Sequence, residues 1–193
     1  MPLTAKAPQD NFELIPAGVY PATCIAIFDL GTQHSPTYGI SERLIVTWEL
    51  AEMKTTEGKP ITISKEYTNS LHEKANLSKD LEAWRGRAFT TDERTGGFDV
   101  FRVLKAPCQL QIIHVEKNRK EYANISNIMA LPKGSPSPTY TLTPQKFAFE
   151  DSIEPSDTVP EWILKKIKSS MNYARRHGDS SFVPPCEGDL EPF

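Results

Sequence analysis

The side chains that could do covalent or metal chemistry are dispersed along the chain. His34, His72, His114 and His177 never fall at the spacing of metal ligands, and His72-Glu73 lacks the second histidine of a metalloprotease helix. Cys24, Cys108 and Cys186 are odd in number and form no CxxC pair, which argues against a disulfide framework and against a zinc site. No Walker loop, GxGxxG or GxSxG is present. Ser70-Leu71-His72-Glu73 sets a hydroxyl, an imidazole and a carboxylate in a row, but serine followed three residues later by glutamate is first of all a helix-capping pattern. The reading is therefore non-enzymatic, with no catalytic residue, no metal and no cofactor.

The aromatic and basic residues form a more coherent set. Proteins that hold single-stranded nucleic acid line a cationic groove with aromatic faces, and each stacked base is worth about 1–3 kcal/mol. Arg43, Trp48, Lys65 and Tyr67 stand on two neighbouring predicted strands, with Lys54 and Lys59 in the turn between them. Arg85 and Arg87 close a predicted helix, and Lys117, Arg119, Lys120 and Tyr122 cluster at a second turn. All are candidate nucleic-acid-binding residues, yet several suit plainer roles. Trp48 shares a face with Leu44 and Val46, as a core residue would; Tyr67 fits core or rim; Trp84 ends an apolar helix stripe; isolated Lys and Arg are commonly solvated. Residues 1–133 hold 16 Lys+Arg and 16 Asp+Glu, so a cationic footprint there has to be local.

Periodicity supplies the elements that must position these residues. Residues 19–30 are β-branched and aromatic, residues 43–50 alternate Leu44, Val46, Trp48 and Leu50 against Arg43, Ile45, Thr47 and Glu49, and residues 60–68 alternate again. The turn at 57–60 pairs the last two as a hairpin. Leu77, Leu81 and Trp84 then fall at helical spacing, with Ser70 and Glu73 as a capping box, Asn76 as a second cap and Gly86 as the stop. Asp99 caps a short turn over 99–104, and strands resume at 108–116 and 122–131 around the polar turn Lys117–Lys120. The order β-β-β-α-β-β predicts a mainly β fold, a five-stranded OB-like Greek-key barrel with its helix between strands three and four.

This domain spans 12–133. Beyond it eight of the sixteen prolines accumulate, and residues 134–193 hold 6 Lys+Arg against 9 Asp+Glu, so the whole net charge of −3 lies there. Composition divides that region into a Pro-rich linker at 134–160, a basic amphipathic helix at 161–177 and an acidic tail at 178–193 expected to be disordered. The helix would start at Pro160 behind Asp157 or Thr158, with Trp162, Ile163, Ile167, Met171 and Ala174 as its apolar stripe. No apolar run is long enough to span a membrane and the N-terminus has no signal-peptide stretch, so a cytoplasmic protein is expected.

Two resemblances sharpen the expectation. The end, Asp189-Leu190-Glu191-Pro192-Phe193, resembles the terminal peptide of bacterial single-stranded DNA-binding proteins, which docks on replication and repair enzymes. Stretches 12–22, 64–87, 122–125 and 160–163 resemble a family of small phage and prophage proteins described as single-stranded DNA-binding or replication-associated. The resemblance implies a phage protein in a bacterial cytoplasm that coats single-stranded DNA in replication or recombination and recruits host or phage proteins through its tail. The alternatives are a non-catalytic adaptor for host replication or defence proteins, and an accessory subunit of a phage nuclease or recombinase. Self-association is open in each case.

Overall fold

The computed structural model describes residues 14–36, 39–152 and 154–179. Its centre is β1 (Gly18–Ser35), an 18-residue strand. From Ala22 to Ser35 it pairs antiparallel with β2 (Gly39–Lys54). On its other edge, Gly18–Thr23 pair antiparallel with β4 (Pro107–Lys117), and Ala26–Phe28 pair parallel with the three-residue β6 (Gln145–Phe147). With β3 (Pro60–Thr68) beside β2 and β5 (Lys120–Met129) beside β4, the sheet order is β3-β2-β1-β4-β5, with β6 off this path. The fold is mainly β, as expected, but it is an open six-stranded sheet. Among the described residues no ladder joins β3 to β5, so the sheet does not close into the anticipated five-stranded barrel.

The helix over α1 (Asn76–Arg85) lies where Leu77, Leu81 and Trp84 predict, and all three are buried. It packs against β5 and β3, beside the open seam. Gly86 ends it in the left-handed conformation at φ 69°, as read from sequence. The predicted capping box is corrected. Ala75 precedes the helix with no side-chain cap, and the Ser70 hydroxyl instead accepts from the His72 N–H. The box belongs to an unforeseen helix, α2 (Thr91–Gly96), where Thr90 and Glu93 exchange side-chain and backbone hydrogen bonds. Asp99 caps a 3-10 turn at Val100–Val103, accepting from the Phe101 N–H at 2.9 Å.

The sheet carries a core on each face. The inner one gathers Ala22, Cys24, Leu44, Val46, Trp48, Leu50, Leu110, Ile112, Ile125 and Ile128 with the apolar stripe of α1. The second covers the other face of β1 and β2, where Ala26, Phe28, Leu30 and Ile45 meet Phe147, Phe149, Val159, Ile163 and Ile167. Its second half therefore comes from the stretch read as linker and basic helix. The helix itself is two, α3 (Glu161–Lys168) and α4 (Met171–Arg176), separated where Ser170 takes the Tyr173 N–H and caps α4.

Polar clamps hold this cover down. Buried Glu49 accepts from the Thr141 N–H, the Thr141 hydroxyl and the Leu142 N–H at 2.8–2.9 Å. Gln33 donates to the Lys166 carbonyl at 2.7 Å, and Asn172 accepts from the Thr32 N–H at 2.8 Å. Gly31 sits between them at φ 66°, where a β-carbon would lie 2.8 Å from the Phe149 ring. No helix among the described residues is long and apolar enough to cross a membrane.

Ile167 is fully buried between α3 and the sheet. Ile167→Ala should cost about 2–5 kcal/mol, the range for emptying such a site, read as a fall in the urea midpoint. A change within about 0.5 kcal/mol, the size of an ordinary surface effect, would mean that the C-terminal cover adds nothing to folding.

Candidate nucleic-acid interface

The candidate residues divide into two groups according to the face their strand turns outward. Trp48 is fully buried and Tyr67 is 3% exposed, so both belong to the inner core and offer no face to a base. Tyr67 donates to Asp80 Oδ2 at 2.8 Å, and Lys65 Nζ reaches the same oxygen at 2.7 Å, which ties β3 to α1. Burial, and then the Asp80 carboxylate, push the Tyr67 phenol well above its ordinary value. Arg43 Nε pairs with Glu66 at 2.9 Å, and Lys166 of α3 pairs with that same carboxylate. Burial drives the Glu66 carboxyl up, but Lys166 and Arg43 outweigh it and hold the group below the ordinary carboxylate range. Lys65, Tyr67 and Arg43 are thus fasteners between elements.

Arg85 and Arg87 are fasteners too. Arg85 reaches Glu93 at 2.5 Å and lies over the Phe89 and Phe98 rings, and Arg87 reaches Glu93 at 2.8 Å. Hydrogen bonds from Arg87, then from the Thr90 N–H and from Arg85, hold the Glu93 carboxyl down to about 2. Lys54 and Lys59 are exposed at the β2–β3 turn, where Lys59 pairs with Glu57 at 2.7 Å. The free thiols Cys24 and Cys108 are buried, and burial pushes Cys24 up to about 12, so neither is a nucleophile near neutral pH.

The remaining candidates come together. Strands β4 and β5 form a hairpin whose register sets Lys117 opposite Lys120, Val115 opposite Tyr122, Ile113 opposite Asn124 and Gln111 opposite Asn127. Alternation turns Leu110 and Ile112 into the core and these pairs outward. A bulge between Gln111 and Ile112 lets Ile125 and Ile128, three apart, both point inward. The result is a bare sheet face. Tyr122 is 50% exposed, with Val115 at 40%, Ile113 at 38% and, at the edge, Val19 at 52%. The C-terminal cover lies over the other half of the sheet, against β1 beyond Ala26 and against β2.

The tip of this hairpin is strained and cationic. Asn118 and Arg119 hold φ of 53° and 61°, the left-handed pair that a two-residue hairpin turn requires and that glycine adopts most cheaply. Asn tolerates that region; Arg there costs about 1 kcal/mol or more. Lys117 faces Lys120 directly, a like-charge pair that also opposes the hairpin. Among the described residues Lys117, Arg119 and Lys120 carry no ion pair. Stability is given up to place three cations beside one half-exposed tyrosine.

Sequence reasoning missed the apolar part of this face. Its signal was present in β4, where Leu110 and Ile112 alternate with Ile113 and Val115, so that both sides of the strand are apolar. The tail residues Asp189, Leu190, Glu191, Pro192 and Phe193 lie outside the described residues. A scan against protein-family models matches none, and a search of curated proteins finds no match.

The Glu93 cluster generates a pH prediction. A carboxyl held low in the folded state stabilises above its unfolded value, near 4.5, and loses that contribution as pH falls toward about 2. Glu93→Gln should therefore lower the melting temperature at neutral pH and bring the two proteins closer together through that acid window. Parallel profiles for the two proteins between pH 4.5 and 2 would contradict the assignment.

Proposed function

We propose that the chain is a phage-type, non-catalytic single-stranded DNA-binding protein that lays the strand along the bare face of the β4–β5 hairpin. The observation that carries this reading is the half-exposed Tyr122 beside Val115, next to Lys117, Arg119 and Lys120. A tyrosine ring and adjoining aliphatic surface accept a base face of any sequence, and the three cations meet the phosphates. Duplex DNA keeps its base faces stacked on one another and offers only the phosphates. The reading is supported by the strand order, with a helix between β3 and β4, which follows an OB-like barrel left open at the β3–β5 seam. In such folds the loop between strands four and five is a recurrent contact with oligonucleotides. In this proposal the segment Asp189–Phe193 recruits replication or repair proteins, its acids steering the encounter and Phe193 filling an apolar pocket.

Fluorescence anisotropy with labelled oligo-dT and with duplex at two salt concentrations tests the core of the proposal. Binding should favour the single strand and weaken as salt rises. Tyr122→Ala should lose about 1–3 kcal/mol of binding while the melting temperature holds, because the ring is half in solvent. Arg119→Gly separates the two roles of the tip: the protein should become more stable by about 1 kcal/mol and bind less tightly. The salt dependence should shrink by about 0.7 in the logarithmic slope for that one lost phosphate contact. Equal affinity for duplex, or unchanged binding by the folded Tyr122→Ala protein, would refute the reading.

A further inference from the structure

Strand β4 is paired on both sides only as far as Ile112. Gly18 is the last residue of β1 opposite it, whereas β5 stays with β4 up to Lys117 opposite Lys120. Upstream of Gly18 the chain leaves this edge, because Ile15 is buried in the inner core and Pro16 has no N–H to offer a ladder. Among the described residues no strand pairs with β4 over 113–117 on that side. Alternate backbone N–H and C=O groups therefore line an open edge, the arrangement that accepts a further strand. Two usual guards of such an edge are missing: no proline falls within 113–117, and the extra residue of the bulge lies on β5. The far edge of β5, by contrast, lies beside α1 and the seam.

Gly18 bounds the gap at one end and the turn at Asn118 bounds it at the other, so a strand entering antiparallel is centred on Val115. A second copy of the same segment fits that slot. Two-fold pairing about Val115 sets Val115 against itself, His114 against Glu116 of the other copy, and Ile113 against the aliphatic stem of Lys117. The imidazole–carboxylate pair then occurs twice. Within its own hairpin Glu116 stands opposite Glu121, a like charge, and among the described residues it has no ion pair. The copy thus brings a hydrogen-bonding partner to a carboxylate that faces only another carboxylate. An edge this short buries far less than the roughly 1,000 Å² of a stable interface. The pair is therefore weak alone and strengthened by a ligand that touches both copies.

We propose that two copies of the chain join through the β4 edge over 113–117, two-fold about Val115, and that one single strand crosses both hairpins. The crossing rests on the nucleic-acid reading of the hairpin face; the edge pairing does not. Residues directly opposite in a sheet share a face, so the outer faces of the two hairpins become one surface. Its central row reads Tyr122, Val115, Val115, Tyr122. Three strand spacings of about 4.8 Å separate the two rings, or about 14 Å, and the tip cations of the two copies lie at opposite ends. One arm offers a single ring, whereas the pair offers two. Binding of a strand long enough to reach both rings recruits the second copy and is cooperative.

The test is chemical capture in the full chain. Val115→Cys is made together with Cys186→Ser, Cys24 and Cys108 being buried, and is treated with a short thiol–thiol crosslinker with and without oligo-dT of about 16 nucleotides, the upper end of a single-fold site. Residue 115 meets its copy at about 5 Å, so a covalent dimer should form, and the oligo-dT should raise its yield. Asn124→Cys in the same background, on the same face but about 19 Å from its copy, should stay monomeric. His114→Lys and His114→Glu, each added to Val115→Cys, both take the imidazole from the Ile15 carbonyl. Their dimer yields without DNA should differ about fivefold, lysine higher, because two charges per dimer then attract or repel Glu116. No dimer from Val115→Cys under either condition, or equal capture at 115 and 124, overturns the edge pairing and leaves the hairpin reading intact. Capture that appears only after residues 1–13 are removed gives the edge to the chain's own N-terminal segment and refutes the second copy. Capture at 115 that bound oligo-dT does not increase overturns the crossing of both hairpins. Capture without any binding of oligo-dT upholds the edge pairing and overturns the nucleic-acid reading.

Discussion

From Ala22 to Leu30 the central strand exposes almost no side chain to water, apart from the half-buried Asp29. A strand in that state requires apolar material on both of its faces. The inner face is satisfied by the curl of the sheet and by α1. The outer face has no such neighbour in the first 133 residues. Phe28, Leu30 and Ile45 would be left in water, an apolar patch of the kind that drives association. The cover supplied by β6, α3 and α4 answers that requirement, and its position follows from where β1 is two-sided.

That dependence accounts for the polar chemistry at the boundary. The cover approaches the sheet through a segment with little regular structure, so its backbone groups need partners from the strands. Glu49 supplies three acceptor contacts, Asp29 accepts from the Phe149 N–H at 3.4 Å, and Glu66 gathers Arg43 and Lys166. Each carboxylate stands on a strand and faces the C-terminal segment or the element that carries it. Gly31 completes the fit because Phe149 and α4 close onto its bare α-carbon. Of the basic residues that resembled a ligand groove in sequence, Arg43 is a counter-ion of Glu66, Lys65 of Asp80, and Arg85 and Arg87 of Glu93.

The legible parts of the chain were those with one clear period. Leu44, Val46, Trp48 and Leu50 predicted β2, and Leu77, Leu81 and Trp84 predicted α1, because each set has one buried face and a contrasting opposite one. The second core was hidden because Phe147, Phe149 and Val159 lie within a Pro-rich stretch without periodicity, where three long-range anchors look like isolated apolar residues in a linker. The capping box was placed at Ser70 rather than Thr90 because Ser70 and Glu73 have the right spacing, and spacing cannot show that the Ser70 hydroxyl is already taken by His72. Among the candidate site residues, side-chain type alone could not separate Lys65 and Arg43, which face acids on neighbouring elements, from Lys117 and Lys120, which face each other. The distinguishing information was cross-strand register, and register depends on a bulge that the spacing of Ile125 and Ile128 encodes only once the strand's inner face is known.

The β4–β5 hairpin extends past the fully buried core residues: beyond Ile112 and Ile125 its side chains are exposed or half-buried, and its last anchors are Ala123 against the inner core and His114 Nε2 on the Ile15 carbonyl. It behaves mechanically as a cantilever, clamped at its root and unloaded at its end. Substitutions along the clamp are constrained by packing, whereas those along the free arm alter little besides the surface they present. Such an arm can diversify rapidly between related chains, exchanging cations, rings and amides, while the clamped body keeps its architecture. Variation concentrated between 115 and 122 would then record adaptation to what is bound rather than erosion of the fold.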